Sequence, residues 1–140
     1  TLYSNDPAAG ANLSKNNSFR SINFKYFIDL LDEKKYWKAF DLKGSCNYAF
    51  PIILNTKSIS KRNLFEKTLD KNGIEFRRGT AGGGNQLRQP YLKEFSKKIN
   101  FNNFKKVDHI HSFGYYIGNY PLLKKSKIKE IVTILNKIDI

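Results

Sequence analysis

The sequence predicts an α+β domain in which a small sheet is covered on one side by helices. Segments with apolar residues at helical spacing alternate with short apolar runs of strand length, in the order helix, strand, helix, strand, helices, strand, helix. Turn residues punctuate the boundaries: Gly44, Asn72-Gly73, Pro90 and Gly118-Asn119. The length of 140 residues, 40% hydrophobic and 26% charged, fits one globular domain able to bury a sizeable core. The links after the first two strands are unlike hairpins, so these patterns leave strand direction open.

Thr1 to Ser21 is rich in Asn, Ser and Ala with little apolar pattern, and reads as a poorly ordered or partner-dependent lead-in. Asn23 can cap a helix whose apolar face is Phe24, Phe27, Ile28 and Leu31. Tyr36 to Leu42 is ambiguous; its Trp37 suits the core by default, or an interface. Cys46 to Asn55 reads as a strand, apolar on both faces from Tyr48 to Leu54. Pro51 marks it as an edge or a bulge. Ser58 or Ser60 caps the next helix, whose stripe is Leu64, Phe65 and Leu69 and whose end is Asn72-Gly73. Ile74 to Arg78 is the second strand. A glycine-rich loop leads to a helix near Tyr91 to Lys98, with Tyr91, Leu92 and Phe95 inward, and Phe101 to Ile110 forms another short helix. Phe113 to Asn119 is the last strand, closed by a tight turn. Ser126 then caps a helix that buries Ile128, Ile131, Val132, Leu135 and Ile138.

Net charge is +13, which draws polyanions without regard to sequence. The lysines are scattered among Asn and Ile, however, as base composition alone would produce. A basic nucleic-acid-binding module is the alternative from another class, and a ligand-free interaction domain a third; arginines and lysines gathered on one face with exposed aromatics would favour the former. One cysteine, Cys46, rules out an internal disulfide framework and fits a reducing, cytoplasmic setting. No apolar run approaches the roughly 20 residues of a membrane span. The absence of methionine, even at position 1, is expected of a piece of a longer gene product, of a tag or of processing.

The stretch from Ile74 to Leu92 carries the clearest chemical signal. Its loop has four glycines, Gly79, Gly82, Gly83 and Gly84, and the donors Asn85, Gln86, Arg88 and Gln89, with no acid between Arg77 and Leu92. Arginine forks match phosphate oxygens in pairs, so the set suits an anionic ligand. The loop lacks the Gly-Lys-Ser/Thr of a P-loop and the G-x-G-x-x-G of a dinucleotide fingerprint. His109 and His111 would share a face if they lay on a strand, but only Asp108 accompanies them, so a hydrogen-bonding role is expected rather than a metal. Cys46, within an apolar strand, reads as a small buried hydrophobe. No self-sufficient catalytic set is present.

Asn72-Gly-Ile-Glu-Phe-Arg-Arg78 followed by Gly84-Asn-Gln-Leu-Arg-Gln-Pro90 resembles the "GI-x-x-R … GN-x-x-RQP" segment of the DegT/DnrJ/StrS family of PLP-dependent sugar-modifying enzymes, nearest to its ColD-like and RfbH-like nucleotide-sugar 3-dehydratase branch. Arg20-Ser-Ile-Asn-Phe-Lys-Tyr-Phe27 is similar to that family's "R-x-x-NF-x-Y" helix start. Tyr48-Ala-Phe-Pro-Ile52 is similar to its "W-F-G-F-P-I" strand, and Phe113 to Pro121 to its late strand and turn. The motifs occur in family order over about residues 20 to 138. The triple glycine departs from the family's "LF-x-GN", which leaves the loop's shape open.

The resemblance implies a C-terminal small domain of a fold type I PLP enzyme, with a small, mainly antiparallel sheet, over residues 22–140. Residues 1–21 would be the remnant of the inter-domain helix or a partly ordered lead-in. It implies that PLP, the catalytic Lys or His and the Asp for the pyridine nitrogen belong to a missing large domain, so no PLP is expected on this chain alone. It implies a nucleotide-linked keto-deoxysugar as substrate, a role in deoxysugar or lipopolysaccharide biosynthesis, and a homodimer in the complete enzyme. Nucleic acid and membrane are not expected partners. The positions that match the motifs, and so would contact substrate or an interface, are Arg78, Asn85, Arg88 and Gln89, with Asn119 in the late turn.

Overall fold

The computed structural model describes residues 7–81, 84–92, 94 and 97–140, with only the backbone of residues 7–11, 101 and 102. Helix α1 spans Pro7–Leu30, strand β1 Ala49–Ile53, α2 Ile59–Lys71, β2 Arg77–Arg78, α3 Lys105–Phe113, β3 Gly114–Gly118 and α4 Lys125–Lys137. Single 3-10 turns occupy Gln86–Arg88, Pro90–Leu92 and Phe101–Phe104. The sheet has the order β1-β3-β2 and is antiparallel throughout. The predicted α+β layer, small and antiparallel, is the one observed. Among the described residues no helix is long and apolar enough to cross a membrane.

The period of two along the strands divides the sheet into unlike faces. Phe50 and Ile52 of β1 lie opposite Ile117 and Tyr115 of β3, and all four are buried. They form the core with Phe24 and Phe27 of α1, Leu31 just past its end, Phe65 and Leu69 of α2, and Ile128, Val132 and Leu135 of α4. The Phe27 and Phe50 rings stack with centroids 4.4 Å apart. Polar bonds lock α1 to α4 at the edge of this core. The Tyr36 hydroxyl donates to the Leu135 carbonyl at 2.6 Å, and burial pushes its pKa up, aided by the nearby Asp32 charge. Asn136 donates to the Leu30 carbonyl and accepts from the Asp32 N–H, while the Lys35 ammonium donates to the Asn136 and Ile138 carbonyls. The carbonyls of Leu30 at the end of α1 and of Asn136 in the last turn of α4 are met this way.

Several local expectations are corrected. α1 begins at Pro7, so Asn23 is not a cap. Alanines and a first-position proline favour helix over residues 7–11 without an apolar stripe, and the periodicity test misses such a segment. The helix runs without a break through residues 21 and 22; Thr1 to Asp6 lie outside the described residues. β1 starts at Ala49, which leaves Cys46 exposed in the preceding loop rather than buried in a strand. Trp37 is 48% exposed, because its backbone N–H joins the edge of β1 at Ile53 O and its indole N–H turns back to Ala39 O. Leu64 is exposed beside the buried Phe65 and Leu69. β2 is shorter than Ile74 to Arg78, Tyr91 is 69% exposed rather than inward, and Phe95 is outside the described residues. Ser58 does cap α2, accepting from Lys61 N–H, but α4 begins at Lys125, so Ser126 is not its cap.

The late-turn residue Asn119 has a structural position. It is 2% exposed, and its amide donates to the Arg20 carbonyl of α1 at 2.9 Å and to the Asn47 carbonyl ahead of β1 at 2.8 Å. Asn23, also buried, donates to Asn119 Oδ1 and to the Tyr120 carbonyl. Asn47 stands at φ 49°, where Asn is better tolerated than most residues, and bonds to Ser21. Replacing Asn119 with Ala leaves one buried carbonyl, of Asn47, and one half-buried, of Arg20, without these partners. The variant is expected to lose about 1–3 kcal/mol of unfolding free energy, read by urea denaturation; a change within about 0.5 kcal/mol, the scatter of ordinary surface substitutions, would refute the role.

Candidate functional site

Helix α3 and the end of the glycine-rich loop are joined by polar contacts. Asp108 and His111 are three residues apart and so share a face of α3. Asn85 N–H donates to His111 Nδ1 at 3.0 Å, which places the imidazole proton on Nε2. The Asn85 side chain donates to Asp108 and accepts from Leu87 N–H, capping the 3-10 turn. Arg88 grips both Asp108 oxygens, Nε at 2.5 Å and Nη2 at 2.9 Å. These bonds, the Arg88 pair foremost, hold the Asp108 carboxyl below the usual range against the opposing effect of burial. The same pair raises the Arg88 pKa. With side chains 48% and 34% exposed, this ion pair is worth about 1 kcal/mol or less.

Two loop glycines have local reasons. Gly84 has φ 59°, and a Cβ there would lie 2.4 Å from His111 Nδ1, so only glycine lets the loop reach this histidine. Gly79 continues the sheet, donating to Gly114 O, and a Cβ on it would lie 2.9 Å from the Ile110 carbonyl. The close approach at these glycines is to α3. Gly82 and Gly83 lie outside the described residues.

The two arginines of β2 face opposite ways. Arg78, opposite Tyr115, turns to the helix-covered side and donates to Glu66 of α2 at 2.6 Å; the Tyr115 hydroxyl donates to the other Glu66 oxygen. Burial raises the Glu66 carboxyl, but the bonds from Arg78 and Tyr115 and the charges of Arg78 and Arg62 outweigh it and leave it below the usual range. Tyr115 is pushed up by burial and by its bond to Glu66. Arg77, opposite Tyr116, belongs to the other face.

That second face is incompletely covered. Pro51 and Ile53 of β1 lie opposite Tyr116 and Gly114 of β3. They line a cleft of about 330 Å³ with Leu42, Tyr48 and Ile110. An adjoining hollow of about 180 Å³ lies between Tyr48, Tyr116, Glu75 and Arg77. Tyr48 and Tyr116 meet edge to face at 6.3 Å. Leu42, Tyr48 and Ile110 are 39%, 63% and 44% exposed, so the face presents apolar surface of the kind that marks an interaction site.

Of the five predicted site residues, Asn85 and Arg88 come together at Asp108, Gln89 follows in the same turn, half-buried and with a partner of its own, and Arg78 and Asn119 stand elsewhere. Arg78, Asn85 and Asn119 satisfy internal groups. Sequence reasoning missed Arg77, Tyr48 and Tyr116; the alternation of β3, carried across its register to β2, is the signal that finds them. His109 and His111 lie on a helix, not a strand. His109 Nε2 donates to Leu54 O at 2.7 Å, away from the loop that His111 serves, so the two do not converge. Among the described residues no group of three or more His, Cys, Asp or Glu side chains is placed to hold a metal ion.

No family model matches the chain, and no curated protein matches it significantly in sequence. Solved structures match it in shape. The E. coli GDP-4-keto-6-deoxy-D-mannose 3-dehydratase with bound hydrated PLP superposes at TM-score 0.68 and 21% identity, over 87% of this chain and 31% of that one. A ColD mutant with bound GDP-perosamine gives 0.66 and 22%, again over 87% and 31%. The proposed sugar aminotransferase Spr1654 of Streptococcus pneumoniae, in apo form, gives 0.72 and 11%, over 91% and 32%. At these identities the likeness is one of fold, and the chain spans about a third of the length of the structures it matches.

The Asp108 contacts have a signed pH dependence. Its folded-state pKa is depressed, so the stability it lends the loop is complete above the unfolded carboxyl value, about 3.9, and is lost as pH falls through the folded value. Amide exchange at Leu87 and Arg88, corrected for intrinsic rates, is expected to accelerate over that acid window ahead of global unfolding, and in Asp108→Asn to be fast already at neutral pH. Equal protection in the variant at neutral pH would show that the loop is held by something else.

Proposed function

We propose that this chain is the C-terminal small domain of a PLP-dependent nucleotide-sugar 3-dehydratase or aminotransferase of deoxysugar or lipopolysaccharide biosynthesis, working in the cytoplasm. The observation that carries the reading is the half-covered sheet. One face is packed by helices and the other is left open and apolar, in a fold that its structural neighbours carry within chains about three times as long. The PLP-binding large domain is the partner that would cover Tyr48, Pro51, Ile53 and Tyr116, and the complete enzyme would be a homodimer.

In such an assembly PLP, held by the large domain, supplies the electron sink for chemistry at the sugar. This domain's part is to bind and orient a nucleotide-linked keto-deoxysugar. Arg88 and Gln89 sit on the latched loop, Arg88 with its Nε–Nη2 edge on Asp108, and Arg77 stands at the rim of the open face, where a guanidinium suits a diphosphate. Arg78, Asn85 and Asn119 act one step back: Arg78 ties β2 to α2, Asn85 caps the turn that presents Arg88, and Asn119 ties the late turn to α1.

A Schiff-base lysine needs a pocket with partners for the cofactor's phosphate and pyridine nitrogen. Titrating PLP into the 140-residue chain is therefore expected to give only diffuse labelling of exposed lysines, followed by absorbance and by mass of the borohydride-reduced adducts. A stoichiometric absorbance band abolished by one lysine substitution would overturn the reading, as would a reading frame whose upstream part encodes some domain other than a PLP-binding one.

A further inference from the structure

We propose that a second groove, between the Trp37 segment and the start of α3, binds a single nucleotide through its base and phosphates. The groove has a volume of about 440 Å³ and is lined by Trp37, Ile53, Asn55, Lys57, Lys105, Lys106, His109 and Ile110. That volume lies within the range of small-ligand sites, about 300–1,000 Å³. The groove adjoins the cleft of the open face, with which it shares Ile53 and Ile110, but the inference does not rest on the PLP-enzyme reading.

The indole is exposed, yet it is fixed. The Trp37 backbone N–H donates to Ile53 O at 2.9 Å and its Nε1–H to Ala39 O at 2.9 Å, so the ring's polar atom is satisfied inside its own segment. What remains is an apolar plane that loses little freedom when a base stacks on it. His109 is fixed as well, by its bond to Leu54 O and by stacking on Phe113 with centroids 5.1 Å apart. Ile53 and Ile110 give the groove apolar surface. Lys57, Lys105 and Lys106 supply three cationic side chains, and among the described residues no carboxylate lines the groove to oppose them. An aromatic plane and clustered cations together match a base joined to phosphates; neither alone does. A polynucleotide would want a succession of such planes along a basic track, whereas among the described lining residues Trp37 is the one large aromatic plane, and it is the sole tryptophan of the chain.

Because Trp37 is the only tryptophan, its fluorescence reports on this groove alone. Titrating GDP and ADP into the 140-residue chain is expected to give saturable quenching, confirmed as one site by calorimetry and weakened by added salt. Guanosine without phosphates, and pyrophosphate without a base, should each bind about tenfold or more weaker. The double variant Lys105→Ala/Lys106→Ala should weaken GDP by about tenfold or more, and Trp37→Leu similarly in calorimetry, with Trp37→Phe in between. All these side chains stand at the surface, and far-UV circular dichroism checks that the variants fold. No saturation at millimolar GDP, or unchanged affinity in the lysine variant, would overturn the proposal. So would an oligo-dT that binds at physiological salt where mononucleotides do not, which would make the groove a single-stranded nucleic-acid platform. Binding of GDP here while PLP forms a stoichiometric band elsewhere would sink the PLP-enzyme reading and leave this one standing.

Discussion

The central strand β3 constrains everything else in this domain. Among the described residues it is the only strand paired on both edges, with β1 on one side and β2 on the other. It also follows α3 without an intervening loop, since Phe113 ends the helix and Gly114 starts the strand. Its register therefore fixes at once which residues of three strands face the core and where α3 lies against the sheet. Tyr115 and Ile117 must go inward, and so Arg78, opposite Tyr115, must meet α2 while Arg77, opposite Tyr116, must not. A slip of one residue would exchange these roles and put Tyr116 into the core.

The elements that bury an apolar stripe were legible in the sequence. The spacings of Phe24, Phe27 and Leu31, of Phe65 and Leu69, and of Ile128, Val132 and Leu135 all reappear as core faces, because burial is what those spacings encode. The first half of α1 was not legible for the same reason: Leu13 and Phe19 are exposed, and propensity rather than amphipathicity makes that helix. Trp37 and Cys46 were misplaced because residue type predicts average burial, whereas here a backbone bond at the sheet edge decides the first and a strand that starts three residues late decides the second.

At the candidate site the loop's chemistry was visible but its direction was not. Amides and guanidinium groups are equally able to hold a ligand and to hold the protein, and only contacts distant in sequence decide. Asn85 and Asn119 are both spent on groups within the fold, with partners 23 and 72 or more positions away, which no local spacing reveals. Among the described residues four buried asparagines, Asn23, Asn47, Asn85 and Asn119, replace part of the apolar glue of a larger core with directional bonds. That choice favours a single geometry for the late turn and the loop end over a gain in stability.

An exposed sheet edge would ordinarily let an isolated domain polymerise, strand edge to strand edge. β1 lies at the sheet's edge, but Pro51 at its midpoint has no N–H to offer, and just beyond it Trp37 N–H takes the Ile53 carbonyl while Asn55 N–H takes the Lys35 carbonyl. A newcomer strand thus finds the hydrogen-bonding ladder already interrupted. The domain can offer a sticky face to a partner of the right shape while refusing a further strand along β1, which separates recognition from aggregation at that edge of the sheet.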